Sequence, residues 1–116
     1  MAYKVCHIEW LVTDLNQAQK FYGTLFDWEF KAFGEEMIVF GTGSEHIGGF
    51  MKADEVVPGN SPSVWLECAS IDEVMAKVEP AGGQISVPKA PLPGVGFSAA
   101  IKDPEGNPIG LVEFAR

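Results

Sequence analysis

The chain reads as one pattern written twice, and that repetition limits the folds open to it more than any other feature. Superposing Leu15 on Ile71, an offset of 56 residues, and Ile47 on Ile109, an offset of 62, brings the two halves into register. Each half then reads strand, helix, strand, strand, strand. One such unit leaves a sheet face bare, which a second unit can cover, so the expected fold is α+β with two tandem βαβββ modules in one domain over 1–116. The boundaries follow composition: module 1 over 1–53, a linker over 54–62 containing Pro58, Gly59, Asn60 and Pro62, and module 2 over 63–116.

In the first half, Val5 to Val12 alternates Cys6, Ile8, Trp10 and Val12 against His7, Glu9 and Leu11. Period two predicts a strand with one apolar and one polar face. Asp14 is a candidate N-cap with Gln17 three residues on, opening a helix whose buried stripe is Leu15, Ala18, Tyr22, Leu25 and Phe26. Gly23 inside that helix implies close packing on the sheet. Strands are expected over Trp28–Phe33, Met37–Phe40 and His46–Met51, with Gly41 to Ser44 as a turn.

The second half repeats this with a strand over Ser63–Ala69 and a capping box at Ser70 and Glu73. A helix stripe of Ile71, Val74, Met75 and Val78 follows, then strands over Gln84–Val87, Gly96–Lys102 and Asn107–Phe114. Pro88 to Gly96 reads as a proline-rich loop, either an ordinary stiff connector or one that its glycines let move as a lid. Asp103-Pro104-Glu105-Gly106 has the residue preferences of a type I turn, because proline presets φ and glycine tolerates the exit.

Composition narrows the function classes. A net charge of −8 repels phosphate backbones and no basic cluster offsets it, so neither nucleic acid nor membrane is an expected partner. No apolar run approaches the roughly 18 residues of a membrane span, the N-terminus lacks a signal-peptide pattern, and a cytoplasmic location is expected. Cys6 and Cys68 read as free thiols acting as small core residues.

His7 seven residues before Asp14, the run Phe21-Tyr22-Gly23 and the closing Asp103-Pro104-Glu105-Gly106-Asn107, set in two βαβββ units, resemble the vicinal oxygen chelate superfamily. That group contains glyoxalase I, the fosfomycin and bleomycin resistance proteins and the extradiol dioxygenases. The resemblance implies an incomplete eight-stranded barrel with helices outside and a ligand cavity inside, and a homodimer. It also implies metal-ligand positions at His7, Gly48, Ser63 and Gly110. A divalent catalytic site wants at least three His, Asp or Glu donors, and of these four only His7 is a good one. The two glycines read instead as room for a flat ligand, with no cofactor expected.

Glu9 and Glu67 share the strand parity of His7 and Ser63, which makes His7, Glu9 and Glu67 a candidate acid/base group. The bland alternative puts the carboxylates at a wet rim with His7 bonded to a hydroxyl. His46 has the parity of Gly48 and reads as exposed at a strand start. Trp65 and Phe50, with Phe97, are candidate surfaces for stacking on a planar ligand, while Trp10 and Trp28 read as core. The expectation is a protein binding a small, partly apolar ligand in a metal-free cavity. One alternative is a metal-dependent lyase or isomerase, lactoylglutathione lyase-like, using His7 with Glu9 or Glu67. The other is a non-catalytic interaction protein whose cavity is filled by Trp65, Phe50 and Phe97.

Overall fold

In a computed structural model, residues 3–115 are described. The element order is β1 (Lys4–Val12), α1 (Leu15–Leu25), β2 (Glu29–Ala32), β3 (Met37–Thr42), β4 (Glu45–Lys52), β5 (Ser63–Glu67), α2 (Ile71–Val78), β6 (Gln84–Leu92), β7 (Gly96–Lys102) and β8 (Pro108–Phe114). The α+β class and the doubled βαβββ order are therefore present. The chain divides into two compact units, Cys6–Ser63 and Val64 onward, the second taking in the start of β1 up to Val5.

In the first unit the strands run β2-β3-β4-β1. β1 is parallel to β4, with Ile8 opposite Gly48 and Trp10 opposite Phe50, and β2, β3 and β4 are antiparallel neighbours. Asp14 caps α1 by accepting a hydrogen bond from the Gln17 backbone N–H at 3.0 Å, satisfying one of the helix's orphan donors. The helix then lays Ala18 on a core of Ile38, Phe40 and Phe50, with Trp10, Tyr22, Trp28 and Phe30 packed around it. Aromatic rings dominate this core: Trp28 stacks on Phe40 at 4.4 Å between centroids and Tyr22 meets Phe50 at 5.0 Å. Burying each such side chain is worth about 1.5–3 kcal/mol.

The second unit repeats the plan as β5-β8-β7-β6, with β5 parallel to β8. Ser70 caps α2 through the Glu73 N–H, and Cys68, Ile71, Ala99 and Leu111 form the core under it. Cys68 Sγ donates to the Val112 carbonyl at 3.5 Å, and burial first, then the nearby carboxylates of Glu113 and Glu67, push its thiol pKa up. Both cysteines are free thiols. Asp103 gathers the closing turn, its carboxylate accepting from the N–H groups of Glu105 and Asn107 and from the Asn107 amide.

The second unit departs from the sequence reading at Pro88 to Leu92. This is not a loop: β6 continues through it, pairing antiparallel with β7 as far as Leu92 opposite Gly96. Proline survives here because β6 stands at the edge of its unit, where a missing N–H breaks no ladder, and because the pairing slips register between Ile85 and Ala90. No lid is left, only the short turn at Gly94, with φ +79°.

Candidate functional site

The chemistry-bearing side chains of the first unit meet on the sheet face opposite α1. β1 turns Ile8, Trp10 and Val12 one way and His7 and Glu9 the other, as alternation requires. His7 Nε2 lies 3.0 Å from Glu9 Oε1, and His7 Nδ1 lies 2.7 Å from Nε2 of His46 on β4. The two imidazoles are 5.0 Å apart between centroids and 9° from parallel. With facing nitrogens only 2.7 Å apart, that is edge-to-edge contact in nearly one plane, the geometry of a ring-to-ring hydrogen bond and not of face stacking.

A β-bulge brings His46 there. Phe40 pairs with Gly48 but Gly41 pairs with His46, so Ile47 is one residue too many. The extra residue shifts the alternation: Ile47 packs on the α1 core, and His46, which strict parity would place on the side of Gly48, emerges beside His7. Gly49 gives the ring its seat, since a Cβ there would lie 3.3 Å from His7 Cε1 and 3.1 Å from the Ile38 carbonyl. Sequence reasoning set His46 aside, used Ile47 only to align the two halves, and did not single out Gly49. The visible signal was the Gly48-Gly49 pair beside the polar face of β1.

His7 and Glu9 are mostly buried, their side chains 16% and 14% exposed, so neither stands at a wet rim. A carboxylate this desolvated needs a partner, and the His7 N–H supplies it. His46 is exposed as a residue, yet partial burial of its ring, and after that the proximity of His7, hold its pKa below 6.5. Beside it an open depression of about 450 Å³ is lined by Glu29, Lys31, Val39, Gly41, Ser44 and His46, among others.

Phe50 is 0% exposed and belongs to the α1 core, so it offers no surface for stacking. Gly48 shares its face, and its missing side chain accommodates the backbone of Ile8, not a ligand: a Cβ would overlap the Ile8 carbonyl oxygen. At Gly110 the room is taken by the chain itself, because the Trp65 indole lies directly over it. Ser63 opens β5. Glu67 has its Oε1 3.9 Å from Lys4 Nζ with 15% side-chain exposure. Phe97 is 36% exposed under the Lys89 ammonium, which sits 4.7 Å from its ring centroid.

A family model described as the Glyoxalase/Bleomycin resistance protein/Dioxygenase superfamily matches residues 4–111. The chain belongs to that superfamily. Among curated proteins it is 29% identical over 115 residues to "Putative glyoxylase CFP32" of Mycobacterium tuberculosis and of Mycobacterium bovis, covering 90% of this chain but 43% of theirs. It therefore spans less than half the length of these relatives. Solved structures that share its fold include an extradiol ring-cleaving dioxygenase from B. fuscum (TM-score 0.76, 19% identity, 97% of this chain and 33% of that one). The Mn(II)-bound glyoxalase from Novosphingobium aromaticivorans has a TM-score of 0.72 at 21% identity, over 95% of this chain and 38% of that one. Hypothetical protein BH1468 from Bacillus halodurans matches end to end, at TM-score 0.77 and 15% identity, over 100% and 97% of the two chains.

Members of this superfamily that hold a metal raise the question of whether these residues would. They do not fit. Glu9 engages His7 Nε2, the nitrogen opposite the one facing His46, so the three groups cannot converge on one ion. Among the described residues no group of three or more His, Cys, Asp or Glu side chains stands where it could hold one, against the three donors a catalytic site needs. Among the described residues, too, no helix is long and apolar enough to cross a membrane.

Proposed function

We propose that this chain is a glyoxalase/bleomycin-resistance-like domain that binds a small, partly apolar molecule without a metal, and that His46, His7 and Glu9 form the polar end of its site. The observation that carries the reading is the coplanar alignment of the two imidazoles, backed by a carboxylate and bordering a depression. Val39 supplies apolar contact there, and Lys31, Glu29 and Ser44 supply polar contact. Two imidazoles, one of them on an exposed residue, rarely hold so close an in-plane geometry unless something behind fixes them, and Glu9 is that anchor.

Backbone amide NMR with a library of small aromatic and heteroaromatic fragments tests the reading. Shifts should concentrate at Gly41, Ser44 and His46. A map centred instead on the groove beside α1, lined by Asn16, Gln19, Lys20 and Trp28, would overturn it. The metal-dependent lyase or isomerase is the competing outcome: a melting temperature raised by Mn, Zn, Ni or Fe in the wild type and not in His7→Ala would favour it.

A further inference from the structure

The geometry points to His46 as the residue that decides which ligands this site accepts: Glu9, acting through His7, holds both imidazoles with the proton on Nε2. His46 Nδ1 is then left as a bare lone pair that selects molecules presenting an O–H or N–H donor over carboxylates and phosphates. The inference rests on the reading above that the depression beside His46 binds a small molecule. Glu9 is a positioning residue in it and His46 the contact.

The argument is proton bookkeeping. An ionised carboxylate only accepts hydrogen bonds, and a neutral imidazole has one N–H and one lone pair. With Glu9 Oε1 3.0 Å from His7 Nε2, that nitrogen carries the proton. In a neutral His7, Nδ1 is then a lone pair, and at 2.7 Å the Nε2 of His46 donates to it. One proton remains to His46, already placed on Nε2, so Nδ1 is unprotonated, and it has no partner among the described residues. The reverse order would set two lone pairs against each other at Glu9 and His7.

The surroundings decide between ligand classes. Glu29 and Glu45 line the same depression against one ammonium, that of Lys31, with Glu9 behind the rings. An anionic head group meets a lone pair and an excess of carboxylates; a neutral donor meets a fixed acceptor.

Imidazole 15N NMR of the wild type reads the proton positions directly. The expected spectrum has both His7 and His46 protonated at Nε2 and His46 unprotonated at Nδ1; a proton on His46 Nδ1, or rapid averaging of its two tautomers, overturns the inference. In Glu9→Gln the amide can donate or accept, so the single tautomer of His46 should be lost while the amide spectrum stays folded. Should that variant not fold, the wild-type spectrum alone decides. Indole, 1-methylindole and benzoate are then titrated against the wild type and followed at His46. Indole should bind about tenfold more tightly than 1-methylindole, the effect of one hydrogen bond, and benzoate not at all. Equal affinities overturn the inference and leave the binding reading standing. The stated tautomers with no fragment effect at His46 overturn the binding reading and the ligand preference together.

Discussion

Substituting Gly110 by alanine tests whether the room at that position is already filled. β5 and β8 place Trp65 opposite Gly110, and an added Cβ would overlap Cδ2 and Cε3 of the indole and lie 2.7 Å from Cε2. Carbon atoms pack best at about 3.5–4.0 Å, so the ring must retreat by roughly 1 Å or more, and as a rigid bicycle it cannot bend its end away. Overpacking of this kind costs about 1–3 kcal/mol. Overlap with three atoms of one ring puts Gly110→Ala at the upper end, near 2–3 kcal/mol, or about 8–12 °C at roughly 4 °C per kcal/mol. Trp65→Ala alone loses burial, but in that background the new methyl enters vacated space and alanine regains about 0.5 kcal/mol over glycine in a strand. The double-mutant cycle should therefore show about 2.5–3.5 kcal/mol of coupling, favourable in the double variant. Urea unfolding followed by far-ultraviolet circular dichroism measures it without using the altered tryptophan as the probe. Gly110→Ala within about 0.5 kcal/mol of wild type, or an equal cost in both backgrounds, would refute the reasoning. Gly48→Ala is the contrast, because its obstacle is the carbonyl of Ile8, and no side-chain truncation can relieve that.

Three further outcomes follow from the structure. His46→Gln should flatten the pH dependence of stability. With the folded pKa held below 6.5, the unfolded chain takes up the proton first as pH falls, so wild type loses stability from about that pH down to the folded value, and the variant lacks this loss; urea midpoints across that window read it. Asp103→Ala should lower the melting temperature at neutral pH. The Asn107 side-chain and backbone hydrogen bonds hold the Asp103 pKa below 3.8, so the wild-type advantage is complete above that value and disappears as pH falls through the lower folded one. Glu113→Ala removes the carboxylate that accepts the Ile71 N–H at 2.8 Å and lies 3.8 Å from Lys89; about 1–2 kcal/mol of stability should go with it, and unchanged exchange protection of the Ile71 amide would contradict the assigned role.

The elements were legible wherever one simple rule acted alone. Asp14 and Ser70 cap as their sequences demand, and Ile71 and Val78 lie on the buried stripe their spacing predicts. The misreadings share one physical origin, the irregular strand. Pro88 and Pro91 looked like a loop because proline is excluded from central strands, and no local pattern announces that β6 is an edge. The resemblance put Gly48 on the cavity face and parity took Phe50 with it, and counting that parity back through Ile47 put His46 on the side of Gly48 as though β4 were regular. A bulge is a property of two strands in register, Phe40 on Gly48 and Gly41 on His46, and one strand read alone cannot display it.

Once the bulge is counted, the duplication has a different meaning at the site. Glu9 and Trp65 are separated by the same 56 residues as Leu15 and Ile71, but the glycine matching Gly110 becomes Gly49, 61 residues earlier, in place of Gly48. Gly49 lies opposite Glu9 and Gly110 opposite Trp65. In each module this glycine gives way to a ring from the adjacent parallel strand, His7 in one and Trp65 in the other. What the two halves keep in common is thus a glycine on the last strand that makes way for an aromatic ring. The halves differ in what the ring can do: the indole fills its seat with apolar surface, whereas the imidazole joins Glu9 to His46. The extra residue at Ile47 is what gives His7 a second polar partner, so the first module acquires its polar array where its strand breaks the alternation that builds the rest of the fold.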